Sequence, residues 1–469
     1  MILVFGILLS IFVILMIGFQ TFESYRRHRS FITPWTLYLL VSIIDIYASG
    51  ILFLVQEIPE QAPYVVPFSK EDLVIALTWF TISIPFWAIG YLSTRQNWGR
   101  KTMPKAVQWS LNIPRLYVFL ALSGGWYVTY LLVDIANNGS VVEYFLFKAQ
   151  RNYGSRVEYT NGTEAILFQL APIMLTIFSM LVGVLFFLRK RYAQPFLWGV
   201  ILPVVGWLFI ATTFFRGSQI GYFLALSVLE WQRRVNARRL ELDAVLIEKK
   251  ASRKSKRSNV FVLILLGAVL FISYGTIRNY YNSGSDSQDN QLSINESLLT
   301  EGVRLIRGEG LIGFTRIINA YPNSVDYLLG KTYLDMILLI IPRSIYTSKP
   351  EWYGVSDISR GMGGPDTTQD AVTVPGEAYA NFGPIGLFLV VIFGALYGFF
   401  DRHKNHPRYR YAYAFIVIPS IFPLFWMSFT GLINNMQALP FAMVVLALVV
   451  QRRYLTPLTV KMRKTSNAY

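Results

Sequence analysis

Long apolar runs separated by short polar segments dominate this chain. A run of about 20 apolar residues is long enough to cross a hydrocarbon core of ~30 Å. Such runs fall near Met1–Gln20, Phe31–Val55, Leu73–Leu92, Leu116–Val133, Ala165–Leu188, Phe196–Phe215, Ser218–Trp231, Val260–Tyr274, Gly383–Phe400, Tyr411–Phe429 and Met436–Val450. The pattern predicts an all-α polytopic membrane protein with about 11 transmembrane helices and a long, partly helical outer loop. The first run lacks a basic n-region and a small-residue cleavage site, so it reads as an uncleaved span and not as a signal peptide. The apolar stretch Tyr333–Ile341 is too short to cross and reads as an interfacial or re-entrant helix.

The polar segments alternate in charge, and the alternation orients the spans. Arg26, Arg27 and Arg29 follow the first run; Arg95, Arg100, Lys101 and Lys105 follow the third; Arg189, Lys190 and Arg191 follow the fifth. Residues 231–258 carry ten basic and three acidic side chains. Further bases follow the ninth run and fill the tail. The intervening segments are poor in bases. The positive-inside rule makes the basic set cytoplasmic, with the N-terminus outside and the C-terminus inside. For this alternation to hold, Phe215–Ser218 must be a tight turn. Three regions result: 1–274, with eight spans, an outer loop at 134–164 and the basic segment 231–258; 275–382, a large outer loop; and 383–469, with three spans and a tail.

Composition agrees with the pattern and limits the chemistry. Of the 469 residues 54% are hydrophobic and only 15% charged, where a soluble domain has about 25% charged. There are no cysteines, which excludes disulfides, thiolate metal sites and thiol catalysis. The net charge of +16 is explained by orientation and by attraction to anionic inner-leaflet lipids. No aromatic-interleaved groove accompanies the bases, so nucleic acid is not an expected partner. The outer loop 275–382 has eight bases against twelve acids. An anionic ligand there must be held by a few pinned arginines, whose planar fork suits phosphate.

The candidate chemistry lies on the outer face. His28, His403 and His406 all map inside, so acid–base work outside falls to carboxylates or tyrosine. Glu377 stands in Pro375-Gly376-Glu377-Ala378-Tyr379-Ala380-Asn381-Phe382-Gly383, at the mouth of the ninth span. It is expected to look into an outer vestibule, either as a catalytic or orienting carboxylate or as a charge capping a helix N-terminus. Arg216 sits at a hairpin tip, either snorkelling to headgroups or clamping a diphosphate inside the bundle. Arg278 follows the eighth span. Arg343 and Lys349 flank a proline-bounded turn. Arg151 lies in the basic-aromatic stretch Arg151-Asn-Tyr153. Asp366, Asp370 and Glu377 could hold Mg²⁺ or Ca²⁺ by their oxygens, though their spacing matches no loop motif and no metal is assigned. Asp45, in the middle of the second span, reads as a buried hydrogen-bonding group.

Taken in order, Arg151-Asn-Tyr153, Arg216-Gly217-Ser218, Arg278, Ile341-Pro342-Arg343 with Lys349-Pro350, and Gly376-Glu377-Ala-Tyr379 resemble the bacterial Wzy-type polymerases of O-antigen and related surface polysaccharides. The resemblance extends to the whole architecture of spans and outer loops. It implies a multi-span, lipid-sugar-using glycosyltransferase of the GT-C type in the bacterial inner membrane, working without metal or other cofactor. It would join undecaprenyl-diphosphate-linked repeat units, with a chain-length regulator protein as a candidate partner. In that frame Glu377, Arg216 and Arg343 are the catalytic candidates. Arg151, Arg278, Lys349, Tyr379, Asp366 and Asp370 are the substrate-binding ones. The chain departs from some relatives in having no outer-loop histidine. A ligase of O-antigen type and a flippase of lipid-linked sugars are the alternatives.

Overall fold

The computed structural model describes residues 2–28, 33–55, 67–95, 107–137, 162–189, 192–212, 221–234, 309–339, 355–362, 372–404, 406, 408–421 and 436–454. Within them the chain is mostly helical. The long helices are α1 (Ile2–His28), α2 (Pro34–Val55), α3 (Lys70–Arg95), α4 (Ile113–Asn137) and α5 (Gly162–Leu188). α6 is Leu197–Ala211 and α7 covers residues 221–234. Four short helices follow: α8 (Glu309–Ala320), α9 (Lys331–Leu339), α10 (Val355–Gly361) and α11 (Val374–Phe382). A 3₁₀ segment, Gly383–Leu389, leads into α12 (Val390–His403). α13 (Tyr409–Ala412) runs on as a π turn, and α14 is Ala438–Val449.

Six helical runs among the described residues are long and apolar enough to cross a membrane, the last being Val374–His403. The surface of α1 explains why water is the wrong solvent for it. Phe5, Leu8, Phe12, Leu15 and Phe19 are all more than half exposed, which suits lipid and would be a large apolar patch in a soluble chain. The predicted span Val260–Tyr274 and the turn Phe215–Ser218 lie outside the described residues. The short stretch at 331–339 is helical, as the apolar stretch from Tyr333 suggested, and packs on α11 without the length to cross.

The run from Val374 to His403 is not one rod. Gly383 has φ +64°, a conformation that glycine alone adopts cheaply. Beyond it the chain folds back, and Gly386 lies so close to the Ala378 carbonyl that no side chain could stand there. The crossing element therefore starts at Gly383, and α11 is a separate helix at its mouth.

α3 and α12 form the tightest helix pair. Gly90 faces the Val391 carbonyl, Gly394 the Trp87 carbonyl, and Gly398 the Tyr91 carbonyl. Numbers rise together on both helices, so they run parallel. Small residues at such a seam let two backbones touch, which is how helices gain packing energy where lipid gives no hydrophobic drive. Thr94 Oγ1 donates to the Ala395 carbonyl at 2.8 Å across the seam.

Contacts sort the connecting segments to two ends. At one end Asp401, at the foot of α12, accepts from Tyr91 at 2.7 Å, Tyr413 at 2.9 Å and Lys404 at 2.8 Å, and pairs with Arg95 at 3.0 Å. Nearby, Arg408 Nε donates to the Val450 carbonyl at 3.1 Å and Arg410 lies over Phe187. Arg189 pairs with Glu230 at 2.7 Å. Two strands, β1 (Val107–Leu111) and β2 (Val450–Tyr454), pair antiparallel here. They are an exception to the all-α expectation. Pairing lets the segment before α4 and the one after α14 satisfy each other's backbone N–H and C=O groups. At the opposite end Asn319 donates to the Pro67 carbonyl at 2.6 Å and Lys70 to the Leu54 carbonyl at 3.1 Å.

The Asp401 cluster gives a first prediction. Asp401→Asn keeps the shape but can no longer accept at both oxygens, so one of Tyr91 and Tyr413 loses its partner in a buried place. A stranded buried polar group costs about 1–3 kcal/mol. The thermal midpoint of the detergent-purified protein should fall by several degrees, and an unchanged midpoint would deny the cluster a stabilising role.

Candidate functional site

The candidate site gathers at the end opposite Asp401, around α11. Its N-terminus is set by Thr373, whose Oγ1 accepts from the Gly376 N–H at 3.0 Å, with Pro375 in the first turn. Hydroxyl cap and early proline are the usual start of a helix. Residues Val374 to Asn381 are all buried, because α8 and α3 cover the helix. Gly376 makes this possible. A Cβ there would stand 2.9 Å from Ile317 Cδ1 and 3.3 Å from Phe314 Cδ2 on α8.

α8 itself reaches into the bundle. Phe314 meets Phe80 of α3 edge-on at 6.1 Å, and Leu311 closes on Gly50 of α2. Phe80 lies ten residues past the polar start of α3 at Lys70, about 15 Å down a helix rising ~1.5 Å per residue. Segments of the large loop thus descend well below the mouth of the bundle.

The C-terminal carbonyls of α11 are satisfied from the side. Leu328 and Leu329 donate N–H groups to the carbonyls of Ala380 and Asn381 at 3.0 and 2.9 Å. The Asn381 side chain completes the clamp. Its Oδ1 accepts from the Gly330 N–H at 3.0 Å, and its Nδ2 donates to Thr332 Oγ1 at 2.7 Å and to the Glu377 carbonyl at 2.8 Å. Gly330 has φ +88° and sits 3.0 Å from the Phe382 ring by its missing Cβ. Tyr333, three residues on in α9, stacks on Phe382 at 6.2 Å.

Glu377 lies inside this clamp with no exposed surface. This corrects the expectation of a carboxylate open to an outer vestibule. The helix start is capped by the Thr373 hydroxyl. The Tyr333 phenol is held well above its ordinary pKa, first by burial and then by the Glu377 carboxylate beside it. At neutral pH the tyrosine keeps its proton, so the buried Glu377 side chain and a phenol O–H belong to one clamp. Such a pair can accept and donate a proton, and the low dielectric strengthens both roles. Farther out, Lys331 pairs with Asp357 of α10 at 2.9 Å. Burial, followed by the Asp357 charge, pushes the pKa of Tyr321 up to about 12.

Of the residues singled out by sequence, Glu377 and Tyr379 fall in α11. Tyr379 lies between Trp79 and Tyr327, with ring centroids at 6.3 Å from each. Arg151, Arg216, Arg278, Arg343, Lys349, Asp366 and Asp370 lie outside the described residues. Among the described residues no group of three or more metal-ligating side chains comes together. Asp45 is buried, within a π turn, Ile43–Ala48, that interrupts α2. Sequence reading missed Tyr333, Thr332 and the role of Asn381. The available signal was the i, i+4 spacing of Glu377 and Asn381, which stacks them on one helix face. Comparison of the chain with protein-family models, curated proteins and solved structures returns no match.

Replacing Asn381 with leucine is expected to strand the Gly330 N–H and the Thr332 hydroxyl at similar volume. The cost is about 1–3 kcal/mol. Amide hydrogen exchange at Gly330 and Leu329 should speed up at least tenfold; unchanged protection there would mean that the side chain does not hold the clamp.

Proposed function

We propose that this protein is a polymerase of undecaprenyl-diphosphate-linked oligosaccharide repeat units, a GT-C-type glycosyltransferase with about 11 spans in the bacterial inner membrane. The observation that carries the reading is Glu377: a carboxylate enclosed in a glycine-pinned helix at the mouth of a membrane bundle, at the end opposite the basic segments. With the positive-inside rule that end is the outer face, the N-terminus is outside and the C-terminus cytoplasmic. Glu377 orients and deprotonates the attacking sugar hydroxyl. The C–O bond to the carrier breaks as the new glycosidic bond forms, and the diphosphate leaves with its charge held by Arg216 and Arg343. Arg151, Arg278 and Lys349 assist in binding the lipid diphosphate and Tyr379 the glycan, while Asp366 and Asp370 hydrogen-bond to sugar hydroxyls. The enclosed state excludes water, which would otherwise hydrolyse the donor. Access comes by opening the α9–α11 clamp, with Gly330 and Gly383 at its ends. A chain-length regulator protein fits as a partner.

The test is a membrane-vesicle assay supplied with lipid-linked repeat units already on the outer side. A polymerase makes a ladder of products there without any flipping. Arg216→Ala is expected to abolish the ladder at normal protein abundance. Absence of a ladder with intact protein, or translocation of unpolymerised units, would overturn the reading.

A further inference from the structure

The end that carries Asp401 also holds a charge cluster that the polymerase reading does not use. Glu230 of α7 is buried, with a side chain 1% exposed, and is met by three guanidiniums. Arg189, just past α5, donates from Nη2 to Oε2 at 2.7 Å. Arg233 donates from Nε to Oε2 at 2.9 Å and from Nη2 to Oε1 at 2.6 Å. Arg234 donates from Nε to Oε1 at 2.8 Å. Four bonds fill the accepting capacity of one carboxylate. Within this group three guanidiniums meet one carboxylate. The arginines stay partly open, with side chains 11%, 17% and 22% exposed. Their geometry is fixed in advance: the Arg189 stem fills the space where a Cβ on Gly199 would stand, 2.8 Å from Arg189 Cδ, and its Nη1 donates to the Phe186 carbonyl at 2.6 Å. Pre-ordered donors lose less entropy when an anion arrives than free side chains do.

The surroundings identify the anion's source. Tyr222 donates to the Pro203 carbonyl, so α7 lies against α6, antiparallel, and the cluster stands at the level where α6 begins. There Tyr192, Trp198 and Tyr117 form an aromatic group, with Trp198 Nε1 donating to the Tyr117 hydroxyl at 3.1 Å. Amphipathic rings of this kind settle at the headgroup level of a bilayer. Below them Phe196, Val200, Val204 and Leu208 recur every fourth residue and are 68%, 49%, 48% and 49% exposed. They make one apolar stripe running down α6 from the arginines. A soluble phosphate would use the charge and leave the stripe without a role. A phospholipid uses both.

We propose that Arg189, Arg233 and Arg234, organised by Glu230, form a binding site for the phosphate headgroup of an anionic diacyl phospholipid whose chains lie along the α6 stripe. The site makes the lipid a defined structural partner of α5, α6 and α7. It differs from the diffuse attraction of the whole basic segment, because three guanidiniums of fixed geometry form it.

The full-length protein, purified in detergent, is titrated with dioleoyl phosphatidylglycerol or phosphatidylcholine, and retained lipid is counted by native mass spectrometry. The wild type is expected to retain phosphatidylglycerol preferentially. Arg233→Gln with Arg234→Gln removes two of the three guanidiniums. The preference should fall roughly 10- to 30-fold, the weight of two basic residues near an anionic leaflet. Arg253→Gln with Lys254→Gln removes as much charge from the same segment and should leave the preference intact. Thermal midpoints in phosphatidylcholine check folding; if the double variant fails to fold, Arg234→Gln alone carries the test, with a smaller fall. No preference in the wild type, or equal losses in the two double variants, would overturn the proposal. So would displacement of the lipid by equimolar glycerophosphate, which would make this a site for a soluble anion.

Discussion

Gly394→Leu is expected to leave little folded protein. The missing Cβ of Gly394 points at the Trp87 carbonyl of α3, and the atom it meets is backbone, which no rotamer change can move. The two helices must separate along their whole contact. That loosens the hydrogen bond from Thr94 to Ala395, the packing of Trp87 on Tyr397, and the approach of Tyr91 to Asp401. Overpacking a tight site costs about 1–3 kcal/mol, occasionally more. Here the strain falls on a backbone seam and on the buried Asp401 cluster at once, so about 4 kcal/mol or more is expected, a large share of a typical total stability. Gly125→Leu is the control, since a Cβ there meets nothing within 4 Å. Monodisperse yield after detergent extraction and the thermal midpoint read the difference. Equal behaviour of the two variants would mean that the seam does not set the fold.

That seam also shows what was legible in the sequence. The apolar runs marked the long helices because length and hydropathy are local properties. Gly394 and Gly398 stand four apart inside one run, but the backbone they meet, at Trp87 and Tyr91, is some three hundred residues away. Nothing local says which helix receives them. Asp401 is the same case: its partners Tyr91 and Arg95 belong to α3, so its sequence neighbours suggested only another charge in a basic segment. Gly383-Pro384 carries a visible break signal, and the ninth apolar run starts there, where the crossing element also starts. Only the backbone shows α11 turned aside. In the candidate site the carboxylate of Glu377 was legible because an acid beside an apolar run is conspicuous. Its enclosure was not, since Asn381, Gly330 and Tyr333 build the clamp across some fifty residues.

Glu377→Gln is expected to stop glycan ladder formation while leaving the protein folded. The substitution is nearly isosteric and removes one proton-accepting oxygen. If Glu377 takes the proton of the attacking hydroxyl, its loss costs about 10²- to 10⁴-fold in rate. A buried amide in place of a buried carboxylate changes stability far less, because the amide avoids the desolvation cost of the charge. The thermal midpoint should therefore stay within a few degrees of the wild type. Tyr333→Phe separates the neighbours: it removes the phenol O–H beside Glu377 and keeps the stack on Phe382. A smaller rate loss is expected, of about tenfold, since the phenol assists the carboxylate and does not replace it. Initial rates from vesicles with matched protein abundance decide among the outcomes. A ladder undiminished in Glu377→Gln removes the carboxylate from the chemistry. A ladder lost together with the fold assigns Glu377 to structure alone. Only loss of the ladder with an intact midpoint keeps it as the proton acceptor.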